Sequence, residues 1–383
     1  MIRYGKIWIA AILSAATLLG AVGCDRKTEE PITVAGEPER QNPAGEDTVS
    51  FLGEDDPENE LPVYLPHEEV ESSEPTATPK PYMATPKPDV TPLPTREPVE
   101  GDIATDRFPA YDTGEDADWS YQSDELRVAI RKYENTEDQI VYYVADLWVR
   151  NISSFRTELA HGKFNSGRED PEDFASRVNA VFGISGTMNA GLVIHNGEQI
   201  KKNIDSSDIA FRSGILIVYR DGSVRIIDRT KKEKYNYNTE NKKNGGVLHA
   251  LQFGPVLVQD GQIRKGLKQR ERHPRILFGY LEPGHYIAVA VDGRTKKSVG
   301  MTEQECAELM QSIGCVSAIN LDGGNSAVML FMGKTINVPS GQDRDGDGVA
   351  GRNIVDMLAF AEFDAEGNAP ALSDIPADRV HGE

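Results

Sequence analysis

The sequence predicts an α/β (α+β) fold, a single globular domain on a mixed sheet, with antiparallel hairpins beside a β-α-β crossover and a disordered linker in front. Three observations predict it. Short apolar runs rich in β-branched residues end in Asn-Gly or Asp-Gly turns. Two such runs, 285–291 and 315–321, are separated by a stretch with apolar residues near helical spacing. A proline-rich acidic segment precedes them all.

Residues 1–24 carry Arg3 and Lys6, an apolar run from Ile7 to Leu19, and small residues before Cys24. This is the layout of a secretory signal, with an apolar core too short for a comfortable membrane span. Ala21-Val22-Gly23-Cys24 resembles a bacterial lipobox, which would make Cys24 a lipidation site; an ordinary cleaved signal is the other reading. The location expected is extracytoplasmic, lipid-anchored to the bacterial cell membrane or surface. Cys306 and Cys315 are the other cysteines, too few for a disulfide framework. They are expected as buried thiols without chemistry.

Residues 25–118 are expected to form a disordered acidic Pro/Thr-rich linker. Fourteen of the 22 prolines fall between Pro31 and Pro98, and Ala-Thr-Pro-Lys-Pro occurs at 77–81 and 84–88. This segment holds 25 acidic and 7 basic residues, nearly all of the formal charge of −20. Like charges with little apolar content favour an extended tether. A flexible coil of this length spans about 50–60 Å. An acidic stalk over a nearly neutral domain excludes the basic footprint that nucleic acid requires.

The globular domain is expected over 119–368, with a disordered tail over 369–383. Leu126–Ile130 and Gln139–Val149 read as strands. Hairpin turns are expected at Asn196-Gly197, Asp221-Gly222 and Asp260-Gly261. A helix is expected over 171–178, and residues 228–246 read as an exposed, charged insertion. The next helix covers 301–313, with Thr302 as cap and Gly314 as stop. Strand, helix and strand at this length read as a parallel crossover. Both strands then end at one sheet edge, where ligands of such sheets bind.

That edge carries Asp292-Gly293-Arg294 after the first strand and Asp322-Gly323-Gly324-Asn325-Ser326 after the second. Each Asp-Gly alone is a common turn. Together they converge two carboxylates and an arginine. Seven scattered histidines offer no zinc spacing. Asp343, Asp345 and Asp347 alternate like the first half of a calcium loop, but the twelfth position is Ile354 in place of a bidentate Glu. A structural calcium and a plain polar loop are the two readings there; no cofactor is otherwise required.

The order and spacing of His273-Pro-Arg275, Gly279, Asp292-Gly-Arg294, Gly300-Met-Thr302, Ala318-Ile-Asn-Leu-Asp-Gly-Gly324 with Ser326, Asn337-Val-Pro-Ser340 and Arg352 resemble the phosphodiester glycosidase family. Phe253-Gly-Pro-Val-Leu-Val258 and Tyr143-Val-Ala-Asp146 fit it too, so the resemblance spans roughly 120–365. It implies hydrolysis of a sugar-1-phosphodiester at the glycosidic C–O bond, as in N-acetylglucosamine-1-phosphate diesters of a wall polymer, exopolysaccharide or scavenged glycan. The chemistry wants a carboxylate beside an oxocarbenium-like sugar and arginines on the phosphate. Asp322 is expected as nucleophile or base, with Asp292 supporting it and Arg275 and Arg294 clamping the phosphate. Gly323, Gly324, Ser326, Arg352 and His273 would contact substrate. Asn320 would do so if it faces the site and not the core.

Two departures stand out. Ile184-Ser185-Gly186-Thr187 stands where many relatives have Asn-Gly-Asp, and Asn325-Ser326-Ala327 where they often have Gly-Ser-Ser. The second reading is therefore a non-catalytic phosphoglycan-binding module on the same fold.

Overall fold

The computed structural model describes residues 99–103, 108, 116–189, 191–205, 212–231, 233–341, 352–364 and 366–382. The signal, Cys24, the linker up to residue 98 and the Asp343, Asp345 and Asp347 run lie outside the described residues. Among the described residues no helix is long and apolar enough to cross a membrane.

The chain opens with β1 (Trp119–Gln122), β2 (Leu126–Asn135), β3 (Ile140–Val149) and β4 (Phe155–Leu159), followed by helix α1 (Pro171–Arg177) and β5 (Phe182–Ser185). Three hairpin-rich stretches follow: β6 (Val193–His195) and β7 (Glu198–Lys201), β8 (Gly214–Tyr219) and β9 (Val224–Asp228), then a short α2 (Tyr237–Glu240), β10 (Val247–Phe253), β11 (Val256–Gln259) and β12 (Gln262–Ile263). The last part holds β13 (Arg275–Glu282), β14 (His285–Val291), α3 (Glu303–Ile313), β15 (Ser317–Leu321), β16 (Met329–Phe331), β17 (Lys334–Thr335), β18 (Asp356–Phe360) and β19 (Val380–His381).

The protein is mostly β, in three sheets. A nine-stranded sheet runs β12-β11-β15-β13-β14-β3-β2-β1-β19, and two five-stranded sheets run β7-β6-β10-β8-β9 and β17-β16-β5-β18-β4. Every neighbouring pair of strands is antiparallel. The expected mixed sheet with a parallel crossover is therefore corrected. β14 and β15 do run in the same direction, joined through α3, but β13 lies between them and pairs antiparallel with each.

Burial on both faces explains the error. In β14, Tyr286, Ala288 and Ala290 join the large core shared with the two smaller sheets, while Ile287, Val289 and Val291 join a second core beneath α3. A strand covered on both sides reads as a continuous apolar run, which is the usual mark of a parallel sheet. The antiparallel partner β13 is supplied by the preceding hairpin, whose turn at Gly284 has φ 82°.

Local chemistry explains the helices. α1 starts at Pro171, and Asp170 caps it by accepting from Glu172 N and Asp173 N. α3 has a full capping box between Thr302 and Glu305, and ends at Gly314 in the left-handed region. Cys306, Ala307, Met310 and Ile313 bury its inner face. Both thiols are free and buried, and burial raises the Cys306 thiol to about 12, leaving it protonated.

Two boundaries differ from expectation. Ile103, placed in the linker by its composition, is buried in the main core, and its N–H donates to the Arg150 carbonyl at 3.0 Å. The C-terminal residues form short 3₁₀ turns and β19 on β1, with Leu372, Ile375 and Val380 docked on the core. A few apolar anchors spread along polar sequence hold it, a pattern without period. The 228–246 insertion is likewise tied down, since buried Glu240 takes Tyr219, Arg225 and Lys243 as partners.

The Thr302 cap lies next to Met301, whose backbone meets the site. Thr302→Ala is expected to cost about 1 kcal/mol, read as a lower urea midpoint with an unchanged slope.

Candidate functional site

The site forms where β14 and β15 end and β13 begins. Arg275 pairs with Val291 and Ile276 with Leu321, so Arg275, Asp292 and Asp322 share one end of the sheet. The expected common edge is therefore real, although β13 divides it. The turns after β14 and β15 close on Pro274 from both sides. A Cβ on Gly293 would sit 2.7 Å from the Pro274 nitrogen, and one on Gly323 2.6 Å from its carbonyl oxygen. Only glycine permits that approach. Gly324 N then donates to the Pro274 carbonyl at 3.0 Å.

Each arginine is held by neutral partners. Arg275 is buried, and its Nε donates to the Met301 carbonyl at 3.3 Å. Arg294 Nη1 donates to Asn325 Oδ1 at 3.1 Å, and Nη2 lies 3.4 Å from His273 Nδ1. Arg352 donates to the buried Ser326 hydroxyl from Nη2 at 2.9 Å and Nε at 3.2 Å. Sequence reasoning missed a fourth, Arg168, whose Nη1 donates to the Asn353 carbonyl at 3.0 Å. Among the described residues none of the four has a carboxylate within salt-bridge distance. They nevertheless feel one another: the basicity of Arg168 is lowered by burial and then by Arg352, and that of Arg294 by burial, Arg275 and Arg352. Burial, Arg275 and Arg294 likewise lower the basicity of His273, so it sits beside them neutral. Such a row, donating to neutral oxygens and one ring nitrogen, has the chemistry to receive an anion.

Two raised carboxylates lie at the same end of the sheet, and of these Asp322 feels Arg352 and Arg168. Asp292 accepts at Oδ1 from Val338 N at 2.9 Å and Asn337 Nδ2 at 3.2 Å, while burial raises it to about 6. Asp322 is raised further, to about 7, by burial, against the opposing pull of Arg352 and with the added push of Asp356. Asp356 is the second residue that sequence reasoning missed: it stands alone on β18, and nothing around it in sequence marks a site. Titratable groups tuned toward neutrality are what acid-base chemistry uses. Asn320 is not among the arginines. Its Nδ2 bridges to the Gly254 carbonyl at 3.0 Å and to the Leu321 carbonyl at 2.9 Å, holding the end of β15 to the chain before β11. Among the described residues no group of three His, Cys, Asp or Glu side chains is placed to hold a metal.

Residues 173–361 match the phosphodiester glycosidase family. The chain carries a phosphodiester glycosidase domain. Relatives include the SPbeta prophage-derived uncharacterized protein YomE of Bacillus subtilis, 28% identical over 207 residues, covering 51% of this chain and 30% of that protein. Another is the human N-acetylglucosamine-1-phosphodiester alpha-N-acetylglucosaminidase, 25% identical over 171 residues, covering 41% of this chain and 32% of the enzyme. The chain thus spans about a third of the length of the curated relatives it matches. The fold is similar to the solved catalytic domain of the zebrafish enzyme of that name, auto-inhibited by its pro-peptide, with TM-score 0.50 and 18% identity over 62% of this chain and 84% of that one. β1 to β3 lie outside the matched segment of this phosphodiester glycosidase domain, yet β3 pairs with β14 and carries the sheet on to β2 and β1.

The raised carboxylates set a pH dependence. A carboxyl with a folded pKa above its unfolded value binds more protons when folded, so stability falls as pH rises between the two values. For Asp292 and Asp322 that window runs from the ordinary aspartate range to about 6 and about 7. Glu169, Glu172 and Glu240 are lowered, so their contribution is present above the ordinary glutamate range and is lost as pH falls through and below it. Asp322→Asn is expected to stabilise the protein by roughly 2 kcal/mol at pH 8 and little at pH 4.5, measured by thermal unfolding across that range.

Proposed function

We propose that this protein is a surface-tethered hydrolase that cleaves the glycosidic C–O bond of a sugar-1-phosphodiester in a wall polymer, exopolysaccharide or scavenged glycan. The observation that carries the reading is the row of Arg168, Arg352, Arg294 and Arg275, with neutral partners only, beside carboxylates raised to about 6 and about 7. A phosphodiester supplies the missing negative charge, and its phosphate leaves from the anomeric carbon without full protonation. The arginines stabilise the charge that grows on phosphate as the bond breaks.

In this reading Asp322, in its ionised form, attacks the anomeric carbon or takes a proton from the water that does. The C1–O bond breaks, its electron pair stays with the phosphate oxygen, and a phosphate monoester leaves; water then supplies the hydroxyl at C1, either directly or by hydrolysing the Asp322 glycosyl ester and restoring the carboxylate, so that free sugar results. Asp292, fixed by Val338 N–H and Asn337, lies on the other side of β13 and stabilises the positive sugar. Lipidation at Cys24 and the acidic stalk would hold this domain above a membrane, and the Asp343, Asp345 and Asp347 run would bind a structural calcium that takes no part in the chemistry. Sequence departures at Ser185 and Thr187 favour a second reading, a phosphoglycan-binding module without turnover.

The full chain is to be tested on a panel of sugar-1-phosphodiesters that includes nucleotide-activated N-acetylglucosamine. Free sugar is the expected product, with kcat/KM rising through about pH 7 as Asp322 ionises, and Asp322→Asn reducing kcat by about 10²–10⁴. Sugar phosphate as product would mean P–O cleavage instead. Binding that depends on Arg275 and Arg294 without any release would establish the binding module.

A further inference from the structure

The strand that carries Asp356 reaches the Asp322 turn through a chain of short contacts. Asp356 Oδ1 accepts from Thr187 N and Met188 N, each at 2.9 Å. Its Oδ2 accepts from Thr187 N at 2.9 Å and from the Thr187 hydroxyl at 2.7 Å. This fixes the segment that follows β5. From there Gly186 offers its carbonyl to Asp322 N at 2.9 Å, and the Ser185 hydroxyl donates to the Asp322 carbonyl at 3.0 Å. The contact leaves no slack, because a Cβ on Gly186 would lie 2.7 Å from the Asp356 carboxyl carbon. Both backbone hydrogen-bonding groups of Asp322 are therefore held by a segment whose own anchor is Asp356.

We propose that Asp356 is a positioning residue for Asp322, fixing its backbone through residues 185–188 and keeping a second negative charge beside its carboxylate. The inference rests on the reading that Asp322 is the reacting carboxylate, but not on which sugar phosphate it attacks. Burial raises the Asp356 carboxyl above its ordinary value, while the Thr187 hydroxyl and the backbone N–H groups of Thr187, Met188 and Asn189 pull it down; an N–H can only donate, so the ionised form is the one that satisfies them all. The groups that face Asp322 are Arg352 on the chain leading to β18, Arg168 before α1, Ser326 after β15, and Asp356 on β18. Of these only Asp356 opposes ionisation of Asp322. Removing its charge while keeping its shape should let Asp322 lose its proton at lower pH.

The test is a carbon-13 titration of aspartate carboxyls in the full chain, with the Asp322 signal identified by its absence in Asp322→Asn. In Asp356→Asn the Asp322 midpoint is expected to fall by half a pH unit or more. The pH limb of kcat/KM should move by the same amount, with kcat down about tenfold and KM within twofold. Thr187→Val, which keeps the two backbone donors but loses the hydroxyl, should move the midpoint the same way by less, and Thr187→Ser should leave it in place. The Thr187 variants carry the test if Asp356→Asn does not fold. An Asp322 midpoint unmoved in the folded Asp356→Asn, or in Thr187→Val where that variant alone folds, overturns the proposal. Absence of turnover on every phosphodiester would defeat the glycosidase reading alone, because the titration is read without substrate.

Discussion

Pro274 leaves no room for a side chain on either neighbouring turn, and the site follows from that. Gly293 and Gly323 lie against its nitrogen and its carbonyl, so the chain leaving β14 and the chain leaving β15 must pass it at van der Waals distance. The turn geometry that results sends Asp292 toward Asn337 and Val338, and Asp322 toward Ser326, Arg352 and Asp356. A hydrophobic sheet buried on both faces supplies the rigidity that makes this placement reproducible. Nothing in the clasp is chemically reactive. Its role is to bring the acidic turns and Arg275 to one end of β13 without letting the carboxylates pair with the arginine directly.

The electrostatics depend on that separation. A guanidinium in contact with a carboxylate would neutralise it and leave no demand for a ligand. Here Arg275, Arg294, Arg352 and Arg168 donate to carbonyls, an amide oxygen and a hydroxyl, and the carboxylates are raised by burial because their charge is only partly offset. The proposed phosphodiester would give these arginines the negative charge that the protein itself withholds.

Much of this was legible in the sequence, and the illegible part has physical causes. Helix α3 was readable from both ends, because Thr302, Glu305 and Gly314 are local signals with local effects. Asp292, Asp322, Arg275 and Arg294 were readable because each abuts a strand terminus, and strands that run the same way end together whatever lies between them. The antiparallel sheet was not readable, since burial of both faces in β3 and β14 erases the alternation that distinguishes the two kinds of sheet. Arg168 and Asp356 were hidden for a different reason. Each is a single polar residue brought in by tertiary contact, and no periodicity or spacing records such a contact.

The segment from Ser185 to Thr187 shows how a departure from a family pattern can be chemically consistent with its surroundings. Thr187 meets Asp356 with donors alone at its backbone nitrogen and with a hydroxyl that completes the set. An acidic side chain at position 187 would confront Asp356 with a second carboxylate, and one of the two would have to hold a proton or find a cation. Ser185 is similarly committed, since its hydroxyl is spent on the Asp322 carbonyl. Both side chains are buried in the support beneath Asp322, away from the oxygens that receive the arginines. The change of residue type therefore alters how the carboxylate is held before it alters what the cleft presents to a ligand.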